Sequence, residues 1–123
     1  MKNRVEDVGA VRAVLNDYIE GSKGNADLLR SIFHPDAGMN GYFSGHLAIG
    51  SPEPFFQEVA KIDASAPSGN ARTEIESIEV IGNVATATLV EEDFLGSGFV
   101  DFFHLIRVDG DWKIISKTYH QAS

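Results

Sequence analysis

The chain has 123 residues, 43% of them hydrophobic, no cysteine and a formal net charge of -8. That length makes one domain over residues 1–123 with a core of its own; the missing cysteines exclude a disulfide framework and thiol chemistry, which suits a reducing cytoplasm. The negative balance, with no Lys/Arg stripe to offset it, excludes nucleic acid and anionic membrane surfaces as partners, and no segment is apolar for long enough to span a bilayer.

Val8, Val11, Leu15 and Tyr18 recur at helical spacing, with Asn3 placed to cap and Glu6 and Asp7 at the positive end of the helix dipole. This predicts a first helix, ended by Gly21 and Gly24. Asn25 or Asp27 caps a short second helix whose Leu28, Leu29, Ile32 and Phe33 point inward until Pro35 stops it. His34 falls at its end, where the dipole favours an imidazolium. Ala37 to Ile49 is short and glycine-punctuated, which fits one or two brief strands around a turn. Ser51-Pro52-Glu53 starts a third helix with the buried stripe Phe55, Phe56, Val59 and Ile62. Ala64 to Asn70 is loop.

The rest predicts four antiparallel strands in a meander: Arg72 to Ile81, Val84 to Asp93, Phe99 to Val108 and Trp112 to His120. In the first of them the apolar register moves from Thr73 and Ile75 to Ile78 and Val80, which a bulge near Glu76 or Ser77 explains. A bulge bends the sheet. Helices followed by a long curved sheet give an α+β domain, three N-terminal helices packed in the concavity of a curved, mostly antiparallel sheet. The strand from Phe99 is apolar on both faces, so one face lines a core or cavity and the other packs on something else.

The runs YIEGSKGNADLLRSIFHPDA (Tyr18 to Ala37) and VDFFHLIRVDGDWKIISKTYH (Val100 to His120) resemble the nuclear transport factor 2-like superfamily over nearly the whole chain. FHPDA at Phe33 to Ala37, with Asp101 and the run WKIISKTYH from Trp112, is most similar to the putative lumazine-binding family. The resemblance implies a cone-shaped fold, a homodimer built on the outer sheet face, and a pocket between helix one and the inner face. Compared with ketosteroid isomerase, a member of that superfamily, Tyr18 falls where the oxyanion-holding tyrosine sits, His104 where the protonated aspartate sits, and the general-base aspartate falls on Gly41. Without that carboxylate the isomerase's own reaction does not transfer.

Tyr18 and His104 are therefore the expected pocket pair, and Phe99, Phe103 and Leu105 the expected dimer face. A two-residue Asp109-Gly110 loop pairs Val108 with Asp111, sets His104 opposite Ile115 and brings Lys117 and Tyr119 to its face. A three-residue loop would bring Ser116, Thr118 and His120 instead, leaving Lys117 outside beside Asp101. Asp36 is the acid nearest the missing base position, and in HPDA it reads as a turn residue. The four histidines have no metal-ligand spacing and no phosphate-binding glycine loop occurs, so neither metal nor cofactor is expected. Three functions fit: a module that binds a small molecule at Tyr18, His104, Lys117 and Tyr119; an acid/base isomerase, dehydratase or cyclase using Tyr18 and His104 at an oxyanion; or a protein-interaction module.

Overall fold

The computed structural model describes residues 4–63, 65, 71–94 and 96–122. Helix α1 (Arg4–Gly21) buries Asp7, Val11, Leu15 and Tyr18 along one stripe; Asn3, the expected cap, lies outside the described residues. Helix α2 (Ala26–Ile32) is capped by Asn25, whose side-chain oxygen accepts the Leu28 N–H at 3.1 Å. Helix α3 (Glu53–Ala60) follows Ser51, whose hydroxyl oxygen accepts the Glu53 N–H at 3.1 Å, and it buries Phe56 and Val59. The expected loop after it lies outside the described residues except for Ser65.

Helix α2 stops at Ile32, earlier than Pro35. His34 precedes a proline, which disfavours helical backbone, and Phe33 already takes extended angles (φ -94, ψ 140). A long strand β1 (Phe33–Phe43) starts there, and β2 (His46–Gly50) returns beside it. His34 is thus a strand residue rather than a helix terminus. β1 slips register between Phe33 and Gly38, and within that stretch the Asp36 N–H donates to His34 Nδ1 at 3.0 Å.

β3 (Arg72–Ile81), β4 (Val84–Phe94), β5 (Ser97–Val108) and β6 (Asp111–Ala122) complete a six-stranded sheet of order β2-β1-β6-β5-β4-β3. β1 pairs parallel to β6 and every other neighbouring pair is antiparallel. The expected bulge is present, with the β3 register slipping between Ile75 and Ser77. The Asp109-Gly110 hairpin is a two-residue turn with both residues in the left-handed region (φ 51 and 86), and Val108 pairs with Asp111.

A second bulge, in β6, has no shift of parity to mark it in the sequence. His104 pairs with Ser116 and Leu105 with Ile114, so Ile115 is the extra residue. The expected pairing of His104 with Ile115 is corrected accordingly. Lys117 pairs with Phe103 and Tyr119 with Asp101.

All three helices pack on one sheet face. Val11 and Leu15 of α1, Leu29 of α2 and Val59 of α3 share a core with Leu89, Phe103, Leu105 and Ile114 of the sheet. Phe99, Phe103 and Leu105 belong to this inner face and His104 to the outer one, the reverse of the expected assignment. Both sets are apolar, so alternation alone cannot choose between them. Asp7 on α1 receives Arg107 Nη1 of β5 at 2.9 Å, and the Arg107 guanidinium lies 5.6 Å from the Trp112 ring centroid. Among the described residues no helix is long and apolar enough to cross a membrane.

Candidate functional site

The inner face of the sheet is apolar at one end and polar at the other. Along β4 it presents Ala85, Ala87, Leu89 and then Glu91; along β5, Leu105, Phe103 and then Asp101; along β6, Ile114 and then Lys117 and Tyr119. Tyr18 of α1 covers this polar end, its ring edge-on to Phe103 at 4.9 Å and stacked on Phe55 at 6.3 Å. Its backbone oxygen accepts from both the Ser22 hydroxyl (2.8 Å) and the Ser22 N–H (2.9 Å), which fixes the last turn of the helix.

The Tyr18 hydroxyl oxygen accepts from Lys117 Nζ at 2.5 Å. That ammonium stands 4.2 Å from the ring centroid of Phe55, 5.1 Å from Tyr18 and 5.6 Å from Tyr119, a three-sided aromatic enclosure. Lys117 is 4% exposed, and among the described residues no carboxylate lies within 4.0 Å of its nitrogen.

Two buried acids stand beside it, Glu91 at 2% and Asp101 at 0% exposure. No backbone N–H or cationic side chain donates to Glu91 Oε1 or to either Asp101 oxygen, and the two carboxyls lie close enough to share a proton. Burial first, and then the neighbouring Asp101 carboxylate, push Glu91 up to about 9, against the opposing pull of Lys117. Glu91 therefore holds a proton at neutral pH, next to the Asp101 carboxylate. Burial, followed by these two acids, also raises Tyr18 well above an ordinary phenol, and burial with Asp101 raises Tyr119. Both phenols stay neutral and able to donate.

Gly41 of β1, paired with Tyr119, supplies the room for that ring. A Cβ at this position would stand 2.5 Å from the Tyr119 carbonyl oxygen and 2.8 Å from two of its ring carbons. The position at which the resemblance expects the isomerase's base is thus a glycine packed against an aromatic ring. From there a row of rings runs outward: Phe99 sits edge-on to Tyr119 at 6.1 Å and stacks with half-exposed Phe43 at 6.3 Å.

Of the residues singled out from sequence, Tyr18, Lys117 and Tyr119 come together, and His104, His120 and Asp36 do not. His104 is exposed on the outer face, across the sheet from Tyr18, so the two cannot meet at one oxyanion. His120 is exposed on the same outer side, and Asp36 is exposed in the irregular start of β1. Glu91 was not foreseen, although it is a carboxylate at the end of an alternating Ala85, Ala87, Leu89 row, and that is a sequence-visible signal. Among the described residues no three His, Cys, Asp or Glu side chains converge on a possible metal position.

Residues 6–120 match the family described as putative lumazine-binding. The chain is 30% identical over 113 residues to the aldolase FrzH of Cladobotryum sp, covering 90% of this chain and 88% of that protein. It is similar to an NTF2-like protein of unknown function from Shewanella baltica OS155, with 30% identity, a TM-score of 0.89 and coverage of 100% and 99%. A second, from Silicibacter pomeroyi DSS-3, has 26% identity, a TM-score of 0.88 and coverage of 98% and 99%. A protein from Shewanella frigidimarina described as a putative ketosteroid isomerase shares the fold at 17% identity, with a TM-score of 0.64 and coverage of 90% and 94%.

Proposed function

The chain belongs to the putative lumazine-binding family, with the nuclear transport factor 2-like fold, and from that premise we propose that the polar end of its inner sheet face receives a small planar molecule. The ligand's carbonyl or ring-nitrogen edge meets Tyr18, Lys117, Glu91 and Asp101, while Phe55, Phe99 and Tyr119 flank its faces. One observation carries this reading: two carboxyls buried against each other share a proton beside a buried ammonium, with no backbone N–H or cationic donor on three of their oxygens. Such groups cost free energy in a dry interior, and a polar ligand that supplies donors and acceptors removes that cost.

A thermal-shift screen tests it. Pteridines, flavin fragments, steroids and aromatic carbonyl compounds are the probes, on the native protein and on Tyr18→Phe, Asp101→Asn and His104→Ala. A compound at 100 times its Kd stabilises by about 2.7 kcal/mol. Tyr18→Phe and Asp101→Asn should lose most of that gain, and His104→Ala, on the other face, should keep it. If every compound is inert, or if His104→Ala alone abolishes the shift, the site is wrongly placed.

A second reading is acid/base chemistry at a carbonyl, favoured by a specific pairing: the aldolase description of a 30% identical relative, and a proton-bearing Glu91 next to the Asp101 carboxylate. Asp101 would take a proton from the carbon beside the carbonyl, and Glu91 and Tyr18 would donate to the oxygen. Tyr18 keeps the role expected from sequence and the buried acids replace His104.

The outer face supports a homodimer. It exposes Tyr42, Leu47, Ile49 and Phe102, and a groove of about 260 Å³ lies among Ile81, Val84, His104, Ile106 and Ile115. These apolar side chains, spread over one sheet face, fit a second copy in an isologous arrangement. Phe102→Asp should convert a dimer to a monomer in sedimentation at micromolar concentration with the fold intact by circular dichroism. A native protein that sediments as a monomer would refute the assembly. The cysteine-free composition fits a cytoplasmic setting for it.

A further inference from the structure

Resting on the carbonyl reading above, we infer that Lys117 is a nucleophile that joins an aldehyde or ketone ligand as an imine. Three observations converge on it. The amine is enclosed: it is 4% exposed, ringed by Phe55, Tyr18 and Tyr119, and its hydrogen bond within the protein goes to a phenol. It is not tied to an acid, since among the described residues no carboxylate lies within 4.0 Å of Nζ. Other lysines are occupied at the surface: Lys23 pairs with Glu20, Lys61 with Glu58, and Lys113 donates to the Ser31 carbonyl. Finally, imine formation needs groups that accept and return protons in a water-poor space, and the proton-sharing carboxyls of Asp101 and Glu91 stand buried in the same cluster.

The step balances with these groups alone. The Lys117 ammonium passes a proton through the Tyr18 hydroxyl that accepts from it to the Asp101 carboxylate, and the amine attacks the carbonyl carbon, forming a C–N bond as the C=O pair moves to oxygen. Glu91 protonates that oxygen and takes back a proton from nitrogen, leaving a neutral carbinolamine. The C–O bond then breaks, and the departing hydroxyl leaves as water with the proton held on Asp101. The product is an iminium on Lys117, and both acids end as they began. The positive nitrogen is then the electron sink for removal of a proton from the adjacent carbon, the step that aldol chemistry requires. Tyr18, bonded to Nζ, is a positioning residue that directs the amine.

The probe is acetylacetone, a 1,3-diketone that condenses with an accessible amine to a stable enaminone. Native protein should gain one diketone less one water by intact mass, develop the enaminone absorption band, and map the adduct to Lys117 at a rate about tenfold or more above Lys61 and Lys113. Lys117→Arg keeps the charge and cannot condense, so it should show only the surface background. Tyr18→Phe should slow the reaction at Lys117 without changing that background. Label spread evenly over surface lysines, or an adduct that persists in Lys117→Arg, overturns the inference. Equal, adduct-free stabilisation of native protein and Lys117→Arg by a planar carbonyl compound overturns it too, and leaves the binding reading standing. Failure of every compound to bind or react removes both. Mapping on the native chain decides the question even if a variant folds poorly.

Discussion

Glu91→Gln should make the protein more stable than the native chain at neutral and alkaline pH, and equally stable at acid pH. The side chain sits in the folded state with its carboxyl raised from 4.5 to about 9. Below the ordinary value, folded and unfolded chains both hold the proton and Glu91 adds no pH dependence. Between the two values the unfolded chain has released its proton and the folded chain has kept it, so rising pH favours unfolding. The slope approaches 1.4 kcal/mol per pH unit, giving a penalty on the order of 3 kcal/mol at pH 7 that grows toward pH 9 and then levels off. Glutamine fills nearly the same volume, never ionises, and carries an NH2 that can donate to Asp101 in place of the Glu91 proton. Urea titrations of both proteins at pH 4, 7 and 9 decide it. Parallel curves, with no gap opening as pH rises, would mean that Glu91 is not held protonated by its surroundings.

Asp7→Ala should cost about 3 kcal/mol, the lower end of the range for breaking a buried ion pair. Asp7 is one of the few charged residues inside the domain, and its carboxylate receives Arg107 Nη1 at 2.9 Å, joining the first turns of α1 to the end of β5. Removing the acid leaves a guanidinium against Trp112 with its remaining contact to water, since the Arg107 side chain is 25% exposed. That partial hydration places the loss at the lower end. The double variant Asp7→Ala/Arg107→Met should recover much of it, because no unpaired charge then remains. Denaturant melts read both. A single variant within about 0.5 kcal/mol of native would show the pair to be a surface contact in effect.

The hairpins, the three helices and the bulge in β3 were legible because each has a local cause: the left-handed Asp109-Gly110 pair, the Asn25 cap, the shift of parity between Ile75 and Ile78. The start of β1 is not legible in the sequence, because Phe33 fits the end of an apolar helix as well as the start of a strand and only pairing with Ile114 separates them. The facing of β5 was not legible. Phe99, Phe103 and Leu105 differ little in hydrophobicity from Phe102, His104 and Ile106, and the choice is made by Tyr18 and the helices packing on the first set. Lys117 and Tyr119 face inward because the reversed facing of β5 and the extra residue Ile115 offset each other. Asp101, read only as part of a family run, and Glu91 are the residues whose placement in apolar rows pointed inward all along.

The last strand of the sheet at one margin, β3, has a consequence for how copies of the chain can meet. Among the described residues it leaves an unpaired backbone ladder, the template on which strand addition and fibril growth start. Along it stand exposed Glu74, Glu76 and Glu79, and the irregularity at Glu76 breaks the straight run that an incoming strand would need. Like charges brought together by edge-to-edge stacking repel, so on this side the chain resists open-ended aggregation even at high concentration.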